Sequence, residues 1–195
     1  YWYDANDNIV QKRLRDGQSI YFTYDRLNRV TLANLPGAES DISYTYDIEG
    51  RLKTATRGSI ATTIAYDQLG RMISEGNNLG AVQYQYDEMD RLKRMTWPDG
   101  FYVTYEYNAG GPIKSIRENG SAAIATYGYD SYGRQISVTY GSGAVQSYGY
   151  DTASRLNSIV HNLTGTAYDQ TINLTYNPAS QIATRTGSND AFAWT

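Results

Sequence analysis

Residues 44–56, YTYDIEGRLKTAT, contain the pattern that best predicts the fold of this chain. Its aromatic residues Tyr44 and Tyr46 flank one polar residue, and this period-two alternation is typical of a half-buried β-strand. Asp47 favours a turn because its carboxylate accepts backbone hydrogen bonds, and Gly50 tolerates the positive φ that ends a type I turn. The stretch therefore predicts two antiparallel strands joined by a short turn.

The same pattern occurs nine times, at intervals of 20 to 22 residues and one of 26. The residue at the position of Tyr46 is tyrosine in every copy: Tyr3, Tyr24, Tyr46, Tyr66, Tyr86, Tyr107, Tyr129, Tyr150 and Tyr176. Aspartate follows it in seven copies and asparagine in two; the aspartates are Asp4, Asp25, Asp47, Asp67, Asp87, Asp130 and Asp151. Arginine stands five positions after the tyrosine in six copies: Arg29, Arg51, Arg71, Arg91, Arg134 and Arg155.

The turn position four residues after each tyrosine is Gly, Asn, Asp or Ser in all nine copies. A second turn signal, such as Asn119-Gly120, then closes each unit, so every unit is predicted to be strand, turn, strand, turn. We therefore predict an all-β chain, a single array of about nine units over residues 1–195 that is cut at both ends. An array of hairpins of this length favours a spiral or solenoid, with a β-propeller as the alternative.

Composition excludes several classes of function. The chain has 20 tyrosines among 195 residues, which favours a folded protein, and its net charge of −3 with no basic block argues against a nucleic-acid partner. The absence of cysteine excludes disulfides and cysteine-based metal sites or nucleophiles. No apolar run is long enough to span a membrane, and neither a cofactor nor a metal motif is found.

The joint columns Tyr-Asp-x-x-x-Arg-Leu at a spacing of about 21 residues, with Trp-Pro-Asp-Gly and Asn-Gly turns between them, resemble the YD repeat of the RHS-repeat family. Its members include bacterial polymorphic toxins, the B and C components of insecticidal toxin complexes, and teneurins. The resemblance covers residues 1–182 and implies a β-ribbon that spirals into a hollow shell. The tail, residues 191–195, resembles the first strand of a tenth copy.

The resemblance implies a function as a non-enzymatic structural segment of a large secreted or cell-surface protein, most often bacterial. Such a segment contacts neighbouring repeats of its own polypeptide and helps to enclose or deliver a toxic domain encoded elsewhere. Nine copies are fewer than a complete shell needs, and the Asp-Pro pair of the family's self-cleaving core is absent. The alternative is a carbohydrate-binding or cell-adhesion module, for which Trp97, in a predicted turn, is the best candidate for glycan contact.

Catalytic interpretations are weaker than structural ones. The aspartate and arginine columns could form a catalytic acid and base pair, but repetition at turn after turn is what a scaffold requires, whereas a catalytic pair is required once. In a scaffold the aspartate caps its turn and the arginine can pair with it across the turn. His161 is the single histidine and falls in the longest interval between repeats, residues 157–173, where we expect a surface loop. The sixth copy has Pro112 in place of arginine, which predicts a local bulge or an altered turn.

Overall fold

The structure, a computed structural model, describes residues 1–188. These residues form eighteen β-strands and no helix, so the predicted all-β array of hairpins is confirmed. The predicted strand in residues 191–195 lies outside the described residues. The strands are β1 (Trp2–Tyr3), β2 (Ile9–Arg13), β3 (Ser19–Tyr24), β4 (Val30–Asn34), β5 (Ile42–Tyr46), β6 (Leu52–Arg57), β7 (Ile60–Tyr66), β8 (Met72–Asn77), β9 (Gly80–Tyr86), β10 (Leu92–Thr96), β11 (Tyr102–Tyr107), β12 (Ile113–Glu118), β13 (Ala123–Tyr129), β14 (Gln135–Tyr140), β15 (Val145–Tyr150), β16 (Leu156–Asn162), β17 (Gln170–Tyr176) and β18 (Ile182–Gly187).

The chain divides into two compact units, the first made of Tyr1–Gln85 and Met95–Gly100 and the second of Tyr86–Arg94 and the residues from Phe101 onward. In the first unit, β1 to β9 pair antiparallel, each with the next strand along the chain. In the second unit, β11 to β18 pair in the same way. Within each unit the strands follow one another in one continuous sheet rather than in separate four-stranded blades, so the β-propeller alternative is wrong.

Alternation along the strands gives each sheet two chemically different faces. In the hairpin of β5 and β6, Tyr44 lies opposite Ala55, whereas Thr45 lies opposite Thr54 on the other side. We call these sides the tyrosine face and the hydroxyl face. On the hydroxyl face, the Oγ1 atoms of Thr45 and Thr54 lie 2.7 Å apart, and such cross-strand pairs stabilise a sheet modestly.

The strand register shifts next to the tyrosine in the hairpins of Tyr3, Tyr24, Tyr46, Tyr66, Tyr107, Tyr129, Tyr150 and Tyr176. In β5 and β6, Tyr46 pairs with Leu52 but Thr45 pairs with Thr54, so Lys53 is an extra residue without an opposite partner. This β-bulge explains why the second strand keeps its apolar residues on the tyrosine face although it begins one residue out of step. Among the described residues the buried apolar side chains are small: Ala33, Val103, Ala125 and Val138.

Candidate functional site: the arginine clasp between repeats

The turn between the two strands of a repeat is the same in all nine copies. In the copy of Tyr46, the N–H of Gly50 donates to the carbonyl of Asp47 at 3.1 Å, and the N–H of Asp47 donates to the carbonyl of Arg51 at 2.9 Å. The residue before the arginine position has positive φ throughout: Asp7, Asn28, Gly50, Gly70, Asp90, Gly111, Gly133, Ser154 and Ser180. The predicted type I turn with a left-handed final residue is thus confirmed.

The aspartate of this turn holds the arginine four residues later. In the second copy, Asp25 Oδ1 accepts the backbone N–H of Arg29 at 3.0 Å, and Asp25 Oδ2 accepts its Nε–H at 2.7 Å. The Nη2 atom of Arg29 lies 2.7 Å from the same oxygen. Because the carboxylate receives several donors at once, the guanidinium is fixed in direction rather than free to swing in solvent.

The fixed guanidinium covers the tyrosine ring of the next repeat. The Cζ atom of Arg29 lies 4.5 Å from the centre of the Tyr46 ring, which is cation–π distance. The hydroxyl of Tyr46 donates back to the carbonyl of Val30, the residue after the arginine, at 2.8 Å. We call this set of contacts the clasp, since it ties one repeat to the next without using a backbone ladder bond between strands.

The clasp recurs along both units. The arginine lies over the tyrosine of the following repeat in five pairs: Arg29–Tyr46, Arg51–Tyr66, Arg91–Tyr107, Arg134–Tyr150 and Arg155–Tyr176. The tyrosine hydroxyl donates to a carbonyl of the preceding repeat from Tyr24, Tyr46, Tyr66, Tyr107, Tyr129, Tyr150 and Tyr176. The ion pair, cation–π contact and hydrogen bond are each weak, but all three act at the same junction between repeats.

The arginine also reaches the next turn where a hydroxyl is available. Arg134 Nη1 donates to Ser154 Oγ at 3.0 Å, and Arg155 Nη1 donates to Ser180 Oγ at 3.2 Å. Sequence reasoning predicted the pairing of arginine with aspartate inside a repeat but missed these contacts between repeats. One sequence signal could have revealed the contact between arginine and the next tyrosine. Tyrosine is constant in its column, and arginine recurs at a fixed position in the preceding hairpin.

The clasp lowers the pKa of its aspartates. Hydrogen bonds from the side chain and backbone of Arg29 lower the pKa of Asp25, and bonds from Asn8 do the same for Asp4. Partial burial raises the pKa of the aspartate in most other copies, but hydrogen bonds from the following arginine outweigh it, so the pKa is lowered at Asp47, Asp67, Asp87 and Asp130. The backbone N–H of Arg155 lowers the pKa of Asp151.

The tyrosines shift in the opposite sense. Partial burial raises the pKa of Tyr24, Tyr46, Tyr107 and Tyr129, because a phenolate would lose hydration on the tyrosine face. Each of these hydroxyls is a donor to a backbone carbonyl, a role that requires the neutral form. At neutral pH the clasp is therefore a charged Asp–Arg pair above a neutral phenol.

The sixth copy corrects the prediction of an altered turn. With Pro112 in place of arginine, the N–H of Asn108 still donates to the carbonyl of residue 112 at 2.9 Å, and that of Gly111 donates to Asn108 at 3.0 Å. The bulge is present there as in the other copies. Proline is tolerated because the arginine N–H in other copies bonds to the aspartate side chain, not to the strand ladder. What this copy lacks is the guanidinium; Tyr129 keeps its hydrogen bond to Ile113.

His161 does not lie in a loop as predicted; it is part of β16, paired with Gln170 of β17. With Leu163 and Tyr168 these residues line a recess of about 430 Å³. In the loop between the strands, Leu163 N–H donates to Asp169 Oδ1 at 2.8 Å. The recess is thus lined by an imidazole, an amide, a leucine and a phenol.

Trp97 is half-buried in the turn of residues 97–100, where the N–H of Gly100 donates to its carbonyl at 3.0 Å. The sequence suggested that Trp97 is the best exposed aromatic candidate for glycan contact, but other rings are more exposed. More exposed rings belong to Tyr132 and Tyr168, both in loops. Within residues 1–188, no cluster of acidic residues and histidine could hold a metal ion, and no helix is long and apolar enough to cross a bilayer.

Comparison with known families gives two matches along the chain. A model described as Teneurin YD-shell matches residues 1–118, and one described as RHS Repeat matches residues 129–167. Among curated proteins, the tRNA3(Ser)-specific nuclease WapA of Bacillus spizizenii is 29% identical over 136 residues, which is 67% of this chain and 6% of WapA.

Solved toxin-complex structures have a similar fold. The crystal structure of TcdB2-TccC3 without its hypervariable C-terminal region superposes with a TM-score of 0.68 at 20% identity, over 83% of this chain and 10% of that one. A second structure, of TcdB2-TccC3, gives 0.54 at 15% identity over 92% and 12% of the two chains. At these identities the likeness shows the fold alone, and the chain spans about a tenth of the solved chains.

Proposed function

Because the chain belongs to the Teneurin YD-shell family, we propose that it is a stretch of non-enzymatic wall that helps to enclose a toxic domain in a larger secreted or cell-surface protein. The observation that carries this proposal is the clasp: its arginine–tyrosine contact occurs at five junctions and its tyrosine hydrogen bond at seven. A binding or catalytic site is needed once, whereas a wall must resist separation at every repeat. A contact that ties neighbouring hairpins side chain to side chain supplies that resistance.

The wall function predicts that breaking clasps exposes whatever the wall encloses. In the full-length protein that carries this segment, limited proteolysis should leave an enclosed domain intact while the surrounding shell is native. The combined substitutions Arg29→Ala, Arg51→Ala and Arg134→Ala should make the enclosed domain sensitive to protease. Lys53→Ala is the matched control, since it removes an exposed cation at a bulge and no clasp.

Two outcomes contradict enclosure. In the first, protease cleaves the domain in the native full-length protein as readily as it cleaves the isolated domain. In the second, the clasp variants protect the domain from protease as well as the wild type does. The non-enzymatic part is tested separately by incubating the purified chain with tRNA, the substrate class printed in the name of WapA. We expect no cleavage. Cleavage that disappears in His161→Ala would identify an enzyme.

A second candidate, a carbohydrate-binding or cell-adhesion module, is favoured by the recess next to His161. Its exposed ring, Tyr168, could stack on a sugar while Gln170 donates a hydrogen bond. For this function, soluble saccharides should raise the melting temperature of the chain, and Tyr168→Ala should abolish the shift. A saccharide panel that leaves the melting temperature unchanged contradicts it.

A further inference from the structure

Three neighbouring turns of the first unit carry apolar side chains at their tips. Leu27 is 71% exposed, Ile48 is 96% exposed and Leu69 is 72% exposed. These residues lie in the turns between β3 and β4, β5 and β6, and β7 and β8, which chain-order antiparallel pairing places at one edge of the sheet. Turn chemistry does not require them, because such positions are usually filled by polar residues or glycine.

The opposite edge of the same unit also carries apolar tips. Ile60 follows the turn between β6 and β7 and is 52% exposed; Leu79, in the turn between β8 and β9, is 85% exposed. One edge thus has apolar tips in three successive aspartate turns and the other has them in two successive glycine-containing turns. Aligned exposed apolar side chains of this kind mark an interaction surface more often than isolated ones do.

The spacing of the tips specifies the partner. One repeat contributes two strands, so successive tips at either edge are about 10 Å apart. A partner that offers apolar groups at the same period can contact every tip along the edge. The opposite edge of another run of these repeats has that period, and its tips are themselves apolar.

We propose that the edge with Leu27, Ile48 and Leu69 docks against the edge with Ile60 and Leu79 of a second copy of this chain. The inference deepens the proposed wall function, on which it rests, by giving the wall a way to extend beyond a single row of hairpins. The contact is heterologous, since one copy uses its aspartate-turn edge and the other its glycine-turn edge. Copies can therefore associate in series rather than only as a closed pair.

The area available sets the strength of this contact. Burial of one such side chain removes about 100 Å² from water, so five give roughly 500 Å², below the roughly 1,200 Å² of stable complexes. Association through this unit is consequently weak and depends on concentration. Longer runs of repeats would bind more tightly because each added pair of tips adds area without a second cost of bringing the partners together.

Sedimentation velocity of the purified chain over a range of concentrations tests the proposal. We expect reversible self-association, weakened at least tenfold in the triple variant Leu27→Ser, Ile48→Ser and Leu69→Ser. The variant Ile60→Ser with Leu79→Ser should show the same loss. The matched control replaces polar neighbours in the same turns, Arg26→Ser, Glu49→Ser and Gln68→Ser, and should associate like the wild type. Circular dichroism of each variant checks that the sheet is intact.

A mixing experiment separates this contact from any other. The triple variant keeps the Ile60 and Leu79 edge, and the double variant keeps the Leu27, Ile48 and Leu69 edge, so an equimolar mixture should form heterodimers but no longer species. A mixture that stays monomeric, a wild type that does not associate, or variants that associate as strongly as the wild type would each overturn the proposal. None of these outcomes affects the protease test of enclosure, so the two proposals fail separately.

Discussion

The third and sixth copies have the same backbone turn, yet only the third supplies an arginine that covers the tyrosine of the next repeat. At Asp47 to Arg51 the carboxylate holds a guanidinium, which covers the ring of Tyr66 at 4.5 Å. In the sixth copy, Pro112 replaces the arginine, and the same two backbone hydrogen bonds form. The turn therefore depends on its backbone hydrogen bonds and its left-handed residue, not on the arginine. The arginine is used for something else, the connection to the next repeat.

The largest loss of stability is expected on acidification, because it neutralises the aspartates of all the Asp–Arg pairs at once. The pKa values of the seven motif aspartates are lowered in the folded chain. Their contribution to stability is therefore present above the unfolded-state pKa of about 4 and is lost as the pH falls through the lower folded-state values. Denaturant midpoints at pH 7, 5, 4 and 3 should be constant between 7 and 5 and then fall steeply.

The sixth and ninth copies sharpen this test because asparagine replaces the aspartate there, at Asn108 and Asn177. Hydrogen exchange measured at low and neutral pH should show a larger loss of amide protection in the hairpins whose turns hold an Asp–Arg pair. The hairpin of Asn108 should lose less protection. Uniform loosening of all hairpins would contradict the assignment of the acid effect to the clasp. Salt should reduce the difference only partly, since the pairs are half-buried.

Loss of a clasped tyrosine has the next largest effect. Tyr46→Ala removes the packed ring, its hydrogen bond to Val30 and its contact with Arg29, and should cost about 3 kcal/mol in the free energy of unfolding. Tyr129→Ala removes a ring and a hydrogen bond but no arginine contact, and should cost less by about 0.5–1 kcal/mol. Denaturant titrations of both variants measure the difference, and equal costs would show that the cation–π contact contributes nothing.

A smaller effect is expected from the left-handed position of the turn. Gly50 has φ of +87°, so Gly50→Ala should cost about 1–2 kcal/mol through backbone strain, as its Cβ would meet only Arg29 Nη1, at 3.5 Å. Gly110, one residue before the left-handed Gly111, does not have positive φ and is the matched control. Gly110→Ala should leave the melting temperature unchanged or raise it slightly. If Gly110→Ala lowers stability as much as Gly50→Ala, the cost does not come from the left-handed backbone at Gly50.

The smallest effect comes from building the missing clasp. Pro112→Arg with Asn108→Asp should stabilise the chain by about 0.5–1 kcal/mol, because a guanidinium would be held next to the ring of Tyr129. Pro112→Leu with Asn108→Asp is the control that restores the N–H without the cation, and it should stabilise less. If thermal unfolding of the arginine variant is no better than that of the leucine variant, the guanidinium is not what distinguishes the two kinds of copy.

Much of the fold follows from local sequence because each repeat is a local structure. Alternation such as Tyr44-Thr45-Tyr46 marks a strand, and a residue that tolerates positive φ at a fixed distance marks the turn. Both depend on interactions within about ten residues. Predictions that needed contacts farther away were less successful: His161 lies on a strand although the long interval around it suggested a loop, and Trp97 is half-buried although its turn suggested exposure.

The number of hairpins, the turn in each and the residues that share a face can all be read from the sequence, because they depend on backbone sterics and a period of two. The contacts between the columns of neighbouring repeats are visible only in the folded chain. In the structure the arginine of one repeat lies over the tyrosine of the next, as Arg51 does over Tyr66. That contact depends on a register and a direction of side chains that no local pattern specifies, since neighbouring hairpins pair through backbone groups that are the same in every residue.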